Sequence, residues 1–380
     1  MELAQLFGNH HINNEYDQNV IDILRLIRTE NVGPRTFIDL INLFGNANAA
    51  LEHVEEFSQR GGKKIKPVSQ NVIDKELSML AKENAYLVSY QSSNYSKLLL
   101  EIYDFPPILT YKGNIKLLNH HKSIAIVGAR NASINGQELS SRIARQLADR
   151  DCVIVSGLAR GIDTAAHKSS VNKTIAVIAG GIDNVYPPEN LKLYKQIAEY
   201  GLIVSELPIG KKPLAQHFPQ RNRIISGLSI ATVLIEAGLK SGSLITARFA
   251  LEQNRDIFAV PGFPLDPRSM GTNKLIKEGA YLLESIDDIL DRIPNYDNFQ
   301  KSLKESKKTS NQFYMNNDRL IITNQMRKEC INLLSSIPIS IESMINYTNF
   351  PLQTIYTIIL ELELAGKISR YPGNKIALIY

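Results

Sequence analysis

The feature that most constrains this chain is a regular alternation of strand-like and helix-like segments between residues 120 and 293. The strand-like runs are short and apolar and lack strict polar–apolar alternation, which is typical of strands buried on both faces. They lie at Ser123–Val127, Cys152–Val155, Thr174–Ala179, Leu202–Val204, Ala231–Ile235 and Asp256–Val260. Helical spacing separates most of them, at Gly136–Asp149, Ile162–Ser170, Glu189–Glu199 and Ser243–Gln253. This alternation predicts an α/β fold with a Rossmann-like, doubly wound, mostly parallel sheet.

Glycines follow most of the predicted strands. In doubly wound sheets, ligands bind beyond the carboxyl ends of the strands, beside helix N-termini that attract anions. The loops read Gly128-Ala129-Arg130, Ser156-Gly157-Leu158-Ala159-Arg160-Gly161, Gly180-Gly181, Glu236-Ala237-Gly238, Lys240-Ser241-Gly242-Ser243 and Pro261-Gly262. A single glycine loop is ambiguous, because glycine at strand ends is common in α/β proteins. Several together, with arginines in two of them, predict a phosphate-bearing ligand at this edge.

Several enzyme classes lack their motifs in this sequence. There is no GxxxxGK[ST] phosphate loop, no GxGxxG after the first strand and no GxSxG nucleophile turn. Asp163 and His167 are four residues apart on one predicted helix, the spacing of an acid–base pair. Such a pair is more often an acid in the first helical turn and a polar-face histidine. We therefore predict no catalytic residues.

A second cluster of interest runs from His217 to Gly227. It places Phe218 beside Arg221, Asn222 and Arg223. Aromatic rings next to cations suit single-stranded nucleic acid, because a base stacks on the ring while the cations contact the backbone. The same residues also fit a core phenylalanine with salt-bridged arginines, and spacing alone favours neither interpretation.

Composition adds limits rather than a function. The 380 residues carry 43 Lys and Arg against 38 Asp and Glu, a net charge of +5 that permits a polyanionic partner without requiring one. The two distant cysteines predict neither disulfides nor a zinc cluster, and we expect no metal and no cofactor. The N-terminus lacks secretory features and no apolar run is long enough to span a membrane, so we expect a cytoplasmic protein.

The N-terminal flank, residues 20–118, reads as mostly helical. Val20–Arg28 and Thr36–Phe44 predict two short helices joined by a turn that contains Gly33. This resembles a helix-hairpin-helix or sterile-alpha-motif-like unit. A phosphate-binding hairpin usually offers more than one glycine in its turn. We therefore favour a structural or protein-contact role for this domain, which precedes the sheet domain at residues 119–293.

The C-terminal flank begins with a polar, lysine-containing linker at residues 294–318. Residues 319–380 predict a separate winged-helix domain, with three helices followed by a wing hairpin around Pro372-Gly373-Asn374. Between Ser340 and Gly366 the charged residues are all glutamates, whereas a DNA-reading third helix needs cations or amides. We predict a protein-interaction module.

Taken in order, the motifs of the whole chain resemble the DNA-processing protein A family (DprA, also called Smf). The first are Ile126–Arg130, Ser156–His167 and Ala179–Asn190. The others are Phe218–Ser229, Glu236-Ala237 with Ser241–Ala247, Gly271-Thr272-Asn273, and upstream Tyr95–Leu100, Phe105–Leu109 and Lys112-Gly113-Asn114. Each is weak alone, and their order makes the resemblance specific.

The resemblance implies a non-enzymatic, homodimeric protein that binds single-stranded DNA without sequence specificity. It further implies protection of DNA in natural transformation and loading of RecA recombinase. Together with the loops above, it makes a set of residues the candidate DNA contacts: Arg130, Gly157, Arg160, Lys212, Phe218, Arg221, Asn222, Arg223, Ser241 and Ser243. The family commonly has a lysine three residues before the phenylalanine, where this chain has Ala215. Either Lys211 or Lys212 substitutes for it from a shifted loop, or the affinity for DNA is lower.

Two alternatives use a similar sheet. One is a nucleotide-cleaving hydrolase related to the lysine-decarboxylase-like enzymes, and the other is a sensor of free nucleotide. The hydrolases resemble PGGxGTxxE at a strand end, whereas this chain has Pro261-Gly262-Phe263-Pro264, and its Gly271-Thr272 lacks the following glutamate. Measuring the binding of oligo-dT beside the binding and hydrolysis of nucleoside monophosphates would distinguish the DNA-binding protein, the hydrolase and the nucleotide sensor.

Overall fold

The computed structural model describes residues 16–292, 322–371 and 373–379. These residues divide into two compact units. The central unit is formed by the described part of Glu76–Asn311, and the terminal unit by the described parts of Met1–Lys75 and Gln312–Tyr380. The predicted linker at 294–318 lies outside the described residues. No helix in the described ranges is both long and apolar enough to cross a membrane.

The central unit is built on one sheet, in which the described residues supply nine strands. In chain order they are β1 Tyr86–Ser89, β2 Ile108–Gly113, β3 Ser123–Val127, β4 Val153–Ser156, β5 Thr174–Val177, β6 Leu202–Ser205, β7 Ala231–Leu234, β8 Asp256–Ala259 and β9 Tyr281–Leu282. Their spatial order is β1-β2-β6-β5-β4-β3-β7-β8-β9. From β6 to β9 all neighbours are parallel, and the order reverses between β3 and β7. The predicted doubly wound, mostly parallel sheet is confirmed.

Strands β1 and β2 lie in a segment that the sequence predicted as mostly helical and assigned to the N-terminal domain. β2 pairs antiparallel with β6, and β1 with β2. These backbone hydrogen bonds make β1 and β2 part of the sheet. The sheet therefore begins at Tyr86, upstream of the predicted domain boundary at residue 118. Runs of four to six strand residues between turns are too short to show a distinct periodicity.

Helices cover both faces of the sheet. Numbered after four helices that precede β1 and are given below, they are α5 Ile134–Asp149, α6 Ile162–Ser169, α7 Leu191–Tyr200, α8 His217–Gly227, α9 Ser243–Glu252, α10 Met270–Lys277 and α11 Asp287–Leu290. Successive residues of β3 enter opposite cores. Ala125 and Val127 pack in one, and Ile124 and Ile126 in the other. Burial on both faces explains why the strands lack polar–apolar alternation.

The terminal unit combines helices from both ends of the chain. The first helices are α1 Gln18–Arg28, α2 Pro34–Phe44, α3 Ala47–Gly61 and α4 Gln70–Lys82, the last of which continues into the central unit. The C-terminal part has α12 Asn324–Asn332, α13 Ile341–Thr348, α14 Leu352–Leu364 and a small sheet of β10 Ile339–Ser340, β11 Ile368–Tyr371 and β12 Lys375–Leu378. This is the predicted winged helix.

The sequence predicted a separate winged-helix domain. In the structure this domain packs on the N-terminal helices instead. A Cβ placed on Gly61 of α3 would lie 2.0 Å from the Glu361 carbonyl oxygen of α14. The Asn31 side chain, in the turn before α2, donates a hydrogen bond to the Leu364 carbonyl at 3.0 Å. Arg370 of β11 pairs with Asp39 of α2 at 2.6 Å. These contacts join the two ends of the chain into one unit.

Candidate nucleic-acid interface

The loops after β3 and β4 lie at the same edge of the sheet and contact each other. Gly161 adopts a φ of +73°, and a Cβ there would lie 2.3 Å from the Ala129 carbonyl oxygen and 2.7 Å from that of Arg130. Only glycine allows both this conformation and this approach. The Arg130 side chain is exposed at the resulting surface. The packing of the two loops therefore fixes the backbone from which Arg130 projects.

The Asp163 carboxylate holds the β4 loop from below. It accepts hydrogen bonds from the backbone N–H groups of Gly157 at 3.1 Å and Ala159 at 3.4 Å. Burial raises the pKa of Asp163, and the nearby positive charge of Arg221 opposes this shift. The carboxylate is buried and bound to backbone. Its role in this arrangement is to shape the loop.

His167 supports the same loop. Its Nε2 accepts a hydrogen bond from the Leu158 N–H at 3.3 Å, and its Nδ1 lies 2.7 Å from Thr174 Oγ1. Leu158 has a φ of +54°, which leucine rarely adopts. Burial, followed by the charge of Arg221, lowers the pKa of His167 to about 3, so the ring is neutral at physiological pH. Asp163 and His167 thus both act on the loop backbone.

Helix α8 carries two of the predicted arginines, Arg221 and Arg223, and both are buried. Arg221 donates from Nη1 to the Val177 carbonyl at 2.6 Å and lies directly beneath Gly157, where a Cβ would be 1.9 Å from Nη1. Burial, reinforced by the charge of Arg130, lowers its pKa to about 10 despite Asp163. Arg221 is therefore placed to add positive potential below the loop, and Gly157 makes room for it.

Arg223 was predicted to contact DNA, but its side chain is buried. Its guanidinium is buried between two carboxylates, at 2.5 Å from Glu206 and 3.2 Å from Asp104. A side chain that is enclosed and paired in this way is not offered to a ligand. The structure favours the salt-bridged interpretation for this residue.

Three exposed or half-exposed side chains form what we call the aromatic–arginine cluster: Arg130, Tyr186 and Phe218. The Arg130 guanidinium lies over the Phe218 ring, 5.1 Å from its centroid. The Tyr186 ring meets Phe218 edge-on, with the centroids 5.5 Å apart. Tyr186 is 47% exposed. The sequence placed Arg130 and Phe218 in different motifs, and the fold brings them together.

Tyr186 was not among the predicted contacts. The sequence nevertheless contained a sign of its role, since Tyr186 lies in the family motif Ala179–Asn190, which follows a predicted strand at the ligand edge. Tyrosine offers a π-face for stacking, like phenylalanine. Tyr186 could therefore have been predicted as an aromatic residue in a loop at the ligand-binding edge of the sheet.

The other predicted contacts are arranged around this cluster. Arg160 is exposed and forms an ion pair with Glu189, which offsets its charge. Asn222 donates to the Gly242 carbonyl at 3.3 Å. Ser241 and Ser243 are hydrogen-bonded to each other at 2.8 Å, and Ser243 is buried. Arg160 is accessible, whereas Asn222 connects α8 to the start of α9 and the two serines bond to each other at that helix start.

Lys211 and Lys212 lie in the loop before α8, and both side chains are exposed. Backbone contacts hold this loop: the Gly181 N–H donates to the Lys211 carbonyl at 2.7 Å, and Gly180 packs against Pro213. Ala215, where the family commonly has lysine, is also exposed. Which lysine compensates stays a prediction.

The N-terminus of α5, beside the switch point between β3 and β7, is occupied by the chain itself. Glu236 accepts hydrogen bonds from the Ser133 N–H at 2.9 Å and the Ser133 hydroxyl at 2.5 Å. Its carboxylate lies 2.6 Å from where a Cβ of Gly136 would be. Sheet proteins that bind dinucleotides place the ligand's phosphates at this helix end. Here an internal carboxylate takes that position.

Comparison with known proteins accounts for this architecture. The family model described as DNA recombination-mediator protein A matches residues 86–294. The chain belongs to this family. The DprA-like N-terminal HHH domain model matches residues 17–78, and the DprA winged helix domain model matches residues 322–374. The sheet-domain model therefore begins at the first residue of β1 and includes β1 and β2, as the sheet of the structure does.

Individual relatives agree with the family models. The chain is 44% identical to the DNA processing protein DprA of Bacillus subtilis over 210 residues, covering 54% of this chain and 71% of that protein. The X-ray structure of DprA from Streptococcus pneumoniae matches with a TM-score of 0.59 and 33% identity, over 72% of this chain and 96% of that one. A structure of DprA from Helicobacter pylori, described as giving insight into its single-stranded DNA binding mode, matches with a TM-score of 0.52 and 32% identity, over 56% and 96%.

Proposed function

We propose that this member of the recombination-mediator family binds single-stranded DNA without sequence specificity at the aromatic–arginine cluster. The observation that carries the proposal is the position of Phe218 between Arg130 and Tyr186 at the ligand edge of the sheet. Aromatic rings stack on any base, and the guanidinium binds phosphate or stacks in turn. The single-stranded DNA binding mode described for the Helicobacter pylori relative supports this ligand.

We further propose that the protein acts as a homodimer that helps load RecA recombinase, and that it has no catalytic step. The family's description as a recombination mediator supports the first point. The second is supported by the use of Asp163 and His167 to hold the β4 loop. Sedimentation of the chain and RecA filament assembly on coated single strands test these roles.

Nucleotide binding at the same sheet is disfavoured by Glu236. A free nucleotide would bring its phosphates to the α5 N-terminus, where this carboxylate already accepts two hydrogen bonds from Ser133. Two anions at one helix end repel each other. Measuring nucleoside monophosphate binding and hydrolysis beside oligo-dT binding decides between the two functions.

The principal experiment replaces Arg130 by alanine. Losing a charge-assisted contact should weaken oligo-dT binding by about 1–3 kcal/mol. The matched control is Arg160→Ala, an exposed arginine on the same edge whose charge is paired with Glu189. It should lose only a few-fold in affinity. Normal binding by Arg130→Ala, with an unchanged melting curve, would show that the ligand lies elsewhere.

The kind of nucleic acid is a second test. The protein should bind single strands more tightly than blunt duplex, because stacking on Phe218 and Tyr186 requires unpaired bases. Affinity should fall as salt rises. A mobility assay that gave equal or tighter binding of duplex would contradict the proposal.

A further inference from the structure

A groove between α5 and α6 lies on the outer surface of the central unit. It encloses about 740 Å³. Ile134, Gln137, Arg142 and Arg145 line it from α5, and Lys168 from α6. The opposite side of α5 carries Ile143, Ala144 and Leu147 into the sheet core, so the groove face is the one turned outward.

The groove is positively charged. Arg142, Arg145 and Lys168 are all exposed, and no described carboxylate forms an ion pair with any of them. The lining contains these three cations against one carboxylate, Glu138. Three other exposed arginines of the unit differ in this respect, since Arg160, Arg248 and Arg268 each form an ion pair with a nearby carboxylate. Unpaired cations along a groove favour a polyanionic occupant.

The groove continues from the aromatic–arginine cluster. The α6 side of the groove is lined from Thr164, three residues after Gly161, which packs on the Arg130 carbonyl. Its α5 side begins at Ile134, four residues after Arg130 and 76% exposed. An exposed apolar side chain at this junction offers a contact to a nucleobase. A strand that leaves the cluster over Arg130 therefore meets the mouth of the groove.

The dimensions also fit a nucleic-acid strand. From Ile134 to Arg145 the groove face follows α5 for twelve residues, whose eleven steps of 1.5 Å cover about 16 Å. At about 3.4 Å per nucleotide, this length holds roughly five stacked nucleotides. Arg142 and Arg145 are one turn apart on the helix, a spacing that lets both reach one backbone.

We propose that single-stranded DNA runs from the aromatic–arginine cluster into the α5–α6 groove, where Arg142, Arg145 and Lys168 bind its phosphates. The cluster holds a short strand, and the groove adds affinity only for longer ones. This inference rests on the proposed binding at the cluster. It identifies a second segment of the same path and the direction in which the strand leaves.

The test compares dT6 with dT20 on the full chain carrying Arg142→Ala, Arg145→Ala and Lys168→Ala together. Affinity for dT6 should change less than about twofold, whereas affinity for dT20 should fall at least about tenfold. The slope of log affinity against log salt should fall by about 2, at roughly 0.7 per lost phosphate contact. A control with Lys192→Ala, Lys195→Ala and Lys277→Ala removes the same charge from exposed lysines elsewhere.

The outcomes separate the inference from the proposed function. If Arg130→Ala weakens both oligonucleotides while the groove variant binds dT20 like the control, the groove proposal is overturned and the cluster stands. That result would leave the groove to an acidic protein partner. If Arg130→Ala binds both normally, the function itself fails.

A second measurement does not depend on the triple variant folding. Cys152 and Cys330 are both buried, so Gln146→Cys supplies an exposed thiol in the groove for a photo-crosslinker. Crosslinks should form with dT20 and not with dT6. Absence of crosslinks to dT20, when the labelled protein still binds it, would overturn the proposal.

Discussion

The central and terminal units differ in their exposed cations, although both contain buried ion pairs, as Arg223 with Glu206 shows for the central unit. In the terminal unit, buried charges are paired: Arg327 forms a bidentate pair with the fully buried Glu361 inside the winged helix, and Arg370 joins Asp39 of the N-terminal part to Glu363. In the central unit, the cations of the aromatic–arginine cluster and the α5–α6 groove face solvent. Inward pairing supports structure, and outward cations are available to a polyanion. We therefore expect binding to belong to the central unit.

The third helix of the winged domain illustrates the contrast. In DNA-binding winged helices this element enters the major groove. Here α14 is buried on several sides, with Ile355, Ile358 and Leu362 in the domain core and its Glu361 backbone against Gly61 of α3. α14 thus packs against the N-terminal part of the same chain, and the protein-interaction role of the domain stays a prediction.

Deleting residues from Asn295 onward should have the largest effect, and it should fall on the terminal unit. Removing α14 uncovers the α3 face around Gly61, so amides of residues 17–75 should lose protection in hydrogen exchange. Oligo-dT affinity should fall only a few-fold, since Arg130, Tyr186 and Phe218 all precede the cut. A folded truncation that lost more than about tenfold would place the binding site in the terminal unit.

Gly61→Ala tests the same joint with one methyl group. The added Cβ would lie 2.0 Å from the Glu361 carbonyl oxygen, which is backbone and cannot move aside. Overpacking of this kind should lower the free energy of unfolding of the terminal unit by about 1–3 kcal/mol.

The matched control is Gly33→Ala in the same unit, where a Cβ would meet nothing within 4 Å. Gly33 is the N-cap of α2, so a small cost of about 0.5–1 kcal/mol is expected there. Chemical unfolding with local hydrogen exchange measures both variants. Equal stability of the two would show that α3 and α14 do not pack closely in solution.

His167 should give the central unit a distinctive sensitivity to acid. Its pKa is about 3 when folded, against about 6.5 unfolded, so below pH 6.5 the unfolded chain binds the extra proton and stability falls. Between pH 7 and 5.5 this amounts to about 1.3 kcal/mol. His120, whose pKa burial also lowers, adds in the same direction.

The buried carboxylates of the terminal unit have the opposite sign. Burial raises the pKa values of Asp39 and Glu363, so each contributes stability below its unfolded pKa that is lost as pH rises through the folded value. Hydrogen exchange at pH 7 and 5.5 should therefore show the loss in the central unit. His167→Gln, which can keep both hydrogen bonds, should reduce that slope; an unchanged slope would contradict the assignment.

The sequence predicted the sheet because its strands are buried on both faces and flanked by helical spacing. It could not predict the fate of the two arginines of α8. Arg221 and Arg223 are two residues apart and so project in different directions from the helix. The carboxylates that enclose Arg223, Asp104 and Glu206, come from distant segments. Only the assembled fold distinguishes these residues from Arg130.

Local sequence patterns also could not predict that the two ends of the chain pack together. One signal was present, since Ile355, Ile358, Leu360 and Leu364 lie around most of α14. A helix that is apolar on most sides needs more than one covering surface. The sequence shows that need, but it does not identify α3 as the second surface.

The smallest expected effect comes from the wing of the terminal unit. Lys375 lies in β12 with an exposed side chain, where winged helices often contact a DNA backbone. If binding belongs to the central unit, Lys375→Ala should change oligo-dT affinity by less than about twofold and leave its salt dependence intact. Arg130→Ala, which removes the same charge from the aromatic–arginine cluster, is the control that should lose affinity. A tenfold loss with Lys375→Ala would make the wing part of the DNA path and end the separation of roles between the two units.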